Sequence, residues 1–262
     1  MRASEIVAAT AFVYFAVVCW HGDMRLARRL QVTAASLLVL GLIWFMSLQA
    51  ALFRDWAPAL YILAGYYVSG MTFVRPSKPL EHWLMGWDRR WLDDPTTRFS
   101  GWPPLLLAYL DFVYTMTFLL LPAGLAVILV VGRRDLVDRY WTIVTATELG
   151  AFTPLALIQT RPPWVLEKRA DLPDGAMRRM AERAVQQMSI GVNTFPSGHA
   201  AGSFGIALAV YYASPAAGFV FAVIAASISV ACVVGRYHYV VDVIAGIALT
   251  LAVWGVTMGL GI

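Results

Sequence analysis

Charge is scarce in this chain: 14% of its 262 residues are charged, against 60% hydrophobic, and the mean hydropathy is +0.66. A soluble domain carries about a quarter charged residues, so this composition excludes an ordinary soluble fold and indicates an integral membrane protein. Cysteine is nearly absent. Cys19 and Cys232 both lie within apolar runs, which excludes a disulfide framework or thiolate metal site and leaves two small packing residues. Histidine occurs four times and in no cluster, so no metal centre and no cofactor are expected. The net charge is +4 with a pI near 9.2, yet the basic residues are dispersed over several loops. Dispersion of that kind suits the flanks of membrane segments and argues against a nucleic-acid partner. Internal repeats and low-complexity tracts are also missing, and the connections leave no room for a second domain.

What is present is apolar length. Runs approaching the roughly 20 residues that cross a bilayer cover residues 5–20, 31–53, 56–74, 103–132, 140–159, 198–213, 216–235 and 238–261. They predict an all-α, polytopic transmembrane helical bundle of about eight spans. Arg2 ahead of an apolar stretch is signal-like, but Glu5 and the lack of a small-x-small site at Val17-Val18-Cys19-Trp20 predict an uncleaved first span. Two connections are long. Residues 75–102 place Trp83, Trp87 and Trp91 at helical spacing, which predicts a helix lying in the headgroup region. Residues 160–190 begin Arg161-Pro162-Pro163-Trp164 and continue into an amphipathic stretch. There Met177, Met180, Ala184 and Met188 line one side, Arg178, Arg179 and Arg183 the other, and Asp174 is placed to start the helix. The basic side reads equally as a solvated face beside anionic headgroups or as a mouth for a phosphorylated lipid.

Two histidines stand where a loop meets an apolar segment. In Phe195-Pro196-Ser197-Gly198-His199 the proline suits the first turn of a helix. The Ser197 hydroxyl and Gly198 N–H then sit at a helix N-terminus, which attracts phosphate, and His199 projects toward the same point. Alone, the stretch is more simply a packing helix with small residues at Gly198, Gly202 and Gly205. His238 and Asp242, four apart, share a helix face. A carboxylate there accepts one imidazole N–H, sets the tautomer and leaves the other nitrogen nucleophilic; the plainer alternative is a structural His–Asp hydrogen bond. Arg161, before its Pro-Pro break, is suited to hold phosphate oxygens in a fork or to snorkel at the interface. Asp111 should lie about 12 Å below the motif face, as a contact for a headgroup or acceptor hydroxyl or, more simply, a bundle-interior hydrogen bond. Glu148, roughly 20 Å along a helix from Arg161, is expected to be too deep for chemistry.

Taken together, Arg161-Pro162, Pro196-Ser197-Gly198-His199 and His238-x3-Asp242 followed by Val243-Ile244-Ala245-Gly246 resemble the phosphatidic acid phosphatase type 2 superfamily. The resemblance covers about the last 120 residues. The Arg-x-His-Tyr-x-x-Asp form is closer to the branch containing inositol phosphorylceramide synthases and sphingomyelin synthases. Two positions depart from the usual pattern: Pro154 stands where a lysine precedes the arginine, and Ala231-Cys232 where Ser-Arg precedes the second histidine. Arg236 is then the candidate to take over that phosphate contact.

The resemblance implies a six-helix phosphatase-like core within residues 55–262, with residues 1–54 forming two additional transmembrane helices. It also implies a metal-independent, two-step reaction on a phosphorylated lipid. His238, held by Asp242, attacks phosphorus to give a phosphohistidine. His199 protonates the leaving oxygen and then activates water or an acceptor alcohol. Arg161, Ser197, the Gly198 N–H and Arg236 stabilise the phosphoryl oxygens. Hydrolysis of a monoester or diphosphate and transfer to an alcohol use the same residues; a non-catalytic lipid-binding protein is the third possibility. Of the 20 Lys and Arg residues, 15 fall on motif-face loops, which by the positive-inside rule would face the cytoplasm. The resemblance implies the reverse, an extracytoplasmic site in the plasma membrane.

Overall fold

The computed structural model describes residues 1–167 and 172–261, and among these the only non-helical pairing is an isolated bridge between Thr160 and Asn193. Lys168 and Arg169, counted above among the motif-face cations, lie outside the described residues. Backbone groups in an apolar surrounding must pair within their own segment, so the apolar runs become helices. In chain order these are α1 (Ala3–Val18), α2 (Leu26–Ser47), α3 (Ala51–Met71), α4 (Lys78–Leu92), α5 (Pro104–Thr115), α6 (Leu120–Val130), α7 (Val137–Phe152), α8 (Pro163–Leu166), α9 (Ala176–Met188), α10 (Gly198–Tyr211), α11 (Pro215–Val234) and α12 (Val240–Leu260).

Each of the eight apolar runs holds a helix or a bent helix pair, but fewer have the length and composition of a full span. Among the described residues three helices, α2, α11 and α12, are long and apolar enough to cross a membrane, and α5 with α6 makes a fourth if the pair is one span bent by 51°. The bend has a local cause: Thr115 and Thr117 donate their hydroxyls to the Asp111 and Tyr114 carbonyls at 2.8 and 2.7 Å, a back-bonding that loosens a helix. Elsewhere the shortfall is set by charge and by breaks. α3 opens with Arg54 and Asp55 and contains Pro58. α7 ends at Phe152, where a short tight turn over Thr153–Ala156 takes over, and α10 has only 14 residues.

α10 sits at the centre, packed by α6, α7, α11 and α12, while α1 rests on α2 and α7. Its small residues allow the crowding: Gly202 and Gly205 face Glu148 and Thr147 of α7. Gly246 of α12 lies against the start of α10, where an added Cβ would stand 2.7 Å from the Ser197 carbonyl oxygen. Pro196 stands just outside the helix, because Ser197 is the N-cap, accepting from Ala200 N–H at 3.3 Å.

Two amphipathic helices take orientations that their sequences only half specify. On α4 the tryptophans point outward, with Trp83 49% and Trp91 47% exposed, and Glu81, Leu84 and Asp88 point in. On α9 the buried face is Arg178, Ala181 and Val185, so one of the three arginines turns inward. Gly175, and not Asp174, caps that helix, and Asp174 instead pairs with Arg179 at 3.1 Å.

Filling the α10–α12 contact should be felt throughout. Gly246→Val overpacks against backbone that cannot yield, at about 1–3 kcal/mol, and should lower the thermal midpoint of the detergent-solubilised protein, with Gly246→Ala intermediate. An unchanged midpoint would contradict the close approach.

Candidate active site

Backbone bonds bring the three sequence blocks together before any side chain acts. Asn193 N–H donates to the Thr160 carbonyl at 2.9 Å, tying the Arg161 segment to the strand-like stretch before Pro196. Ser197 N–H donates to the Asp242 carbonyl at 2.9 Å, and Trp164 N–H to the Arg236 carbonyl at 3.0 Å. The Tyr239 hydroxyl closes the ring, donating to the Arg161 carbonyl at 3.1 Å.

This frame sets the two histidines in contact. His199, in the first turn of α10, places Nδ1 3.4 Å from His238 Nε2, and the rings meet edge to face. His238 Nδ1 lies 3.4 Å from Asp242 Oδ2, which also accepts from Tyr239 N–H at 3.0 Å. The His199 ring stacks on Tyr114, which stacks in turn on Tyr237, so the orientation of the imidazole is held by aromatic faces. His238 is 5% exposed. An imidazole with one nitrogen on a carboxylate and the other facing a second imidazole has the form of a nucleophile once the two rings part. Both histidines line a cavity of about 90 Å³ walled by Tyr66, Tyr114, Phe118, Phe152 and Trp164, with Gly198 also on its wall.

The remaining candidates are placed differently. Arg161 is not on the cavity wall; its Nε and Nη2 donate to the Glu81 carboxylate at 3.0 and 2.9 Å. Arg236 is 1% exposed, with Nη1 on Asp88 at 2.7 Å and Nη2 on Glu167 at 2.8 Å. Its backbone adopts φ 60°, in the left-handed region, turning the guanidinium toward α4. Asp88 also accepts from Val240 N–H at 2.9 Å. The Ser197 hydroxyl is engaged in its N-cap, and Gly198 N–H reaches Thr194 Oγ1 at 3.4 Å. Asp111 pairs with Arg178 at 3.2 Å, beside Tyr237. Cys232, where the family arginine would stand, is buried, and its carbonyl accepts from the N–H groups of Tyr237 and His238.

Glu148 corrects an expectation. Counting 1.5 Å per residue to Arg161 presumed continuous helix, but α7 stops at Phe152. Glu148 therefore lines the same cavity as His199 and His238. Glu81 and Asp88 were not singled out as partners of the arginines. Their seven-residue spacing with Leu84 between marks one helix face opposite the tryptophans, a legible signal of an inward stripe. Tyr114 and Tyr237 carried no such signal.

A family model described as the PAP2 superfamily matches residues 80–256. A PA-phosphatase related-family protein of Dictyostelium discoideum is 47% identical over 58 residues, which is 22% of this chain and 10% of that protein. The match therefore spans about a tenth of the length of that relative. No solved structure matches the chain significantly.

The Glu81–Arg161 link has a pH signature. Burial raises the Glu81 carboxyl, but the hydrogen bonds and charge of Arg161 outweigh it and hold the group below its ordinary value of 4.5. A depressed carboxylate adds stability that is complete above its unfolded value and lost as pH falls through its folded one. Glu81→Gln should lower the thermal midpoint at pH 7, and the gap from wild type should close on acidification below about 4.5. A gap that persists unchanged down to pH 3 would show that the ionised pair does not contribute.

Proposed function

The chain belongs to the PAP2 superfamily, and from that premise we propose that it is an integral-membrane lipid phosphate phosphatase working through His238, His199 and Asp242. The observation that carries the proposal is the run of contacts Asp242 Oδ2–His238 Nδ1 and His238 Nε2–His199 Nδ1, each 3.4 Å, opening on an aromatic cavity. Asp242 accepts a hydrogen bond from His238 Nδ1–H, and Nε2 attacks phosphorus as the bond to the leaving oxygen breaks. His199 gives that oxygen a proton, and a phosphohistidine results. His199 then takes a proton from water, whose oxygen attacks phosphorus and returns His238 to its free form. For the phosphoryl group to enter, the two imidazoles must part, and the Tyr114 stack gives His199 a fixed plane in which to slide.

Charge on the phosphoryl oxygens is met by Arg161 once phosphate replaces Glu81 as its partner, and by the Gly198 N–H once phosphate replaces Thr194 Oγ1. Arg236 serves instead as a positioning residue, holding the turn that carries His238 against α4. In this reading all eight apolar segments cross the bilayer, the six within residues 55–262 form the phosphatase-like core, and the site opens on the extracytoplasmic face of the plasma membrane. Transfer to an alcohol acceptor, as in the inositol phosphorylceramide synthase branch, runs through the same residues with the acceptor in place of water.

Phosphorus-labelled phosphatidic acid in detergent micelles, with chelator present, tests the proposal. Wild type should release phosphate, and His238→Ala should lose at least about 10³-fold in rate. Equal rates in the two proteins would sink it, while release of label only into an added alcohol would make the enzyme a transferase.

A further inference from the structure

Glu148 is the one acid on the cavity wall, and among the described residues it makes no hydrogen bond or ion pair. The wall is mostly apolar or aromatic, including Tyr66, Tyr114, Phe118 and Phe152, with Thr115, Thr117, Ser189 and Thr194 also on it. Glu148 is half-buried, so its carboxyl meets the cavity with no protein donor against it, and a ligand there can supply the missing hydrogen-bond donor. The fold makes room for it deliberately: a Cβ at position 202 would overlap the Glu148 carboxyl, and glycine occupies that position. Gly202 follows His199 by three residues on α10, so the carboxyl sits about 4.5 Å further along the helix than the histidine, at 1.5 Å per residue.

That placement separates two ends of one cavity. At the histidines the cavity suits a phosphoryl group. At Glu148 it does not, because a carboxyl accepts hydrogen bonds and repels a phosphate dianion. We propose that Glu148 is a specificity-determining residue that accepts a hydrogen bond from a hydroxyl or amine on the substrate, within a few bonds of the phosphorus. The substrate class is then a lipid phosphate with a polar donor beside the headgroup, in preference to a plain alkyl or polyprenyl phosphate. The inference rests on the hydrolase reading for the seat of the phosphoryl group, and it also fixes substrate direction, since the donor-bearing end points past His199 toward α7.

The test uses two non-hydrolysable probes, dodecylphosphonate and its 2-hydroxy derivative, titrated calorimetrically into the purified full-length protein in detergent. Wild type should bind the hydroxylated probe about tenfold more tightly, the ratio set by one hydrogen bond to a carboxyl group. Glu148→Leu should bring the ratio of the two dissociation constants close to one, and Glu148→Gln, which keeps an acceptor oxygen, should retain part of it. A wild-type ratio near one, failure of both probes to bind, or an unchanged ratio in Glu148→Leu would overturn the proposal. A merely structural glutamate weakens both probes alike and leaves the ratio intact. If Glu148→Leu does not fold, the wild-type ratio and the Gln variant still decide. Failure of the hydrolase reading shows separately, as absence of phosphate release from a lipid phosphate with a free hydroxyl, such as lysophosphatidic acid, with the binding preference intact.

Discussion

The contact between the first turn of α10 and the first turn of α12 governs the site. Ser197 N–H reaches the Asp242 carbonyl, and this is possible only because Gly246 presents no side chain to the Ser197 carbonyl. The hydrogen bond sets the separation of two helix ends that belong to different parts of the chain. From one end projects His199, and from just outside the other comes His238. Their 3.4 Å approach follows from that backbone geometry, and so does the reach of Asp242 to the far nitrogen of His238. Stacking on Tyr114 and Tyr237 then removes the rotational freedom the His199 ring would otherwise have.

Around this contact, charge is arranged to be satisfied from outside the helical core. The α4 helix turns indoles one way and carboxylates the other, and the carboxylates take the two arginines that flank the site. Arg236, almost fully buried, needs Asp88 and Glu167 together, because an unpaired guanidinium at that depth would be strongly destabilising. Its left-handed backbone is a local strain that the two ion pairs offset. Arg161 is different: a third of its side chain is exposed, and among the described residues it has one carboxylate partner, which leaves it the less tightly held of the two. One amphipathic helix thus braces both loops that carry the candidate site, and Asp88 extends the brace by accepting from the first N–H of α12.

The sequence and the structure agree on positions and part over partners. The apolar runs located every long helix, since hydrocarbon-length segments have no other way to pair their backbone. The number of full crossings was less legible, because a run of apolar letters does not reveal where Thr115 and Thr117 bend α5 from α6 or where α7 gives way at Phe152. His199, His238 and Asp242 were legible as a candidate cluster, since the four-residue spacing and the loop–helix junctions are local features, and the structure brings the three into contact. Arg236 and Arg161 were legible as cations but not as ion-paired cations, for their carboxylates lie 148 and 80 residues away along the chain.

Glu148 marks the division most clearly. Its residue type and its place in an apolar helix were plain from the letters, yet its distance from the site depended on whether the chain between it and Arg161 stayed helical. Local order, which residues share a helix face and where a helix can begin, was determined by the sequence alone, because it rests on interactions within a few residues. Which side chains meet across the bundle was decided only by the tertiary structure, because close packing at Gly202 and Gly246 and the long-range ion pairs of α4 exist only once distant segments are assembled.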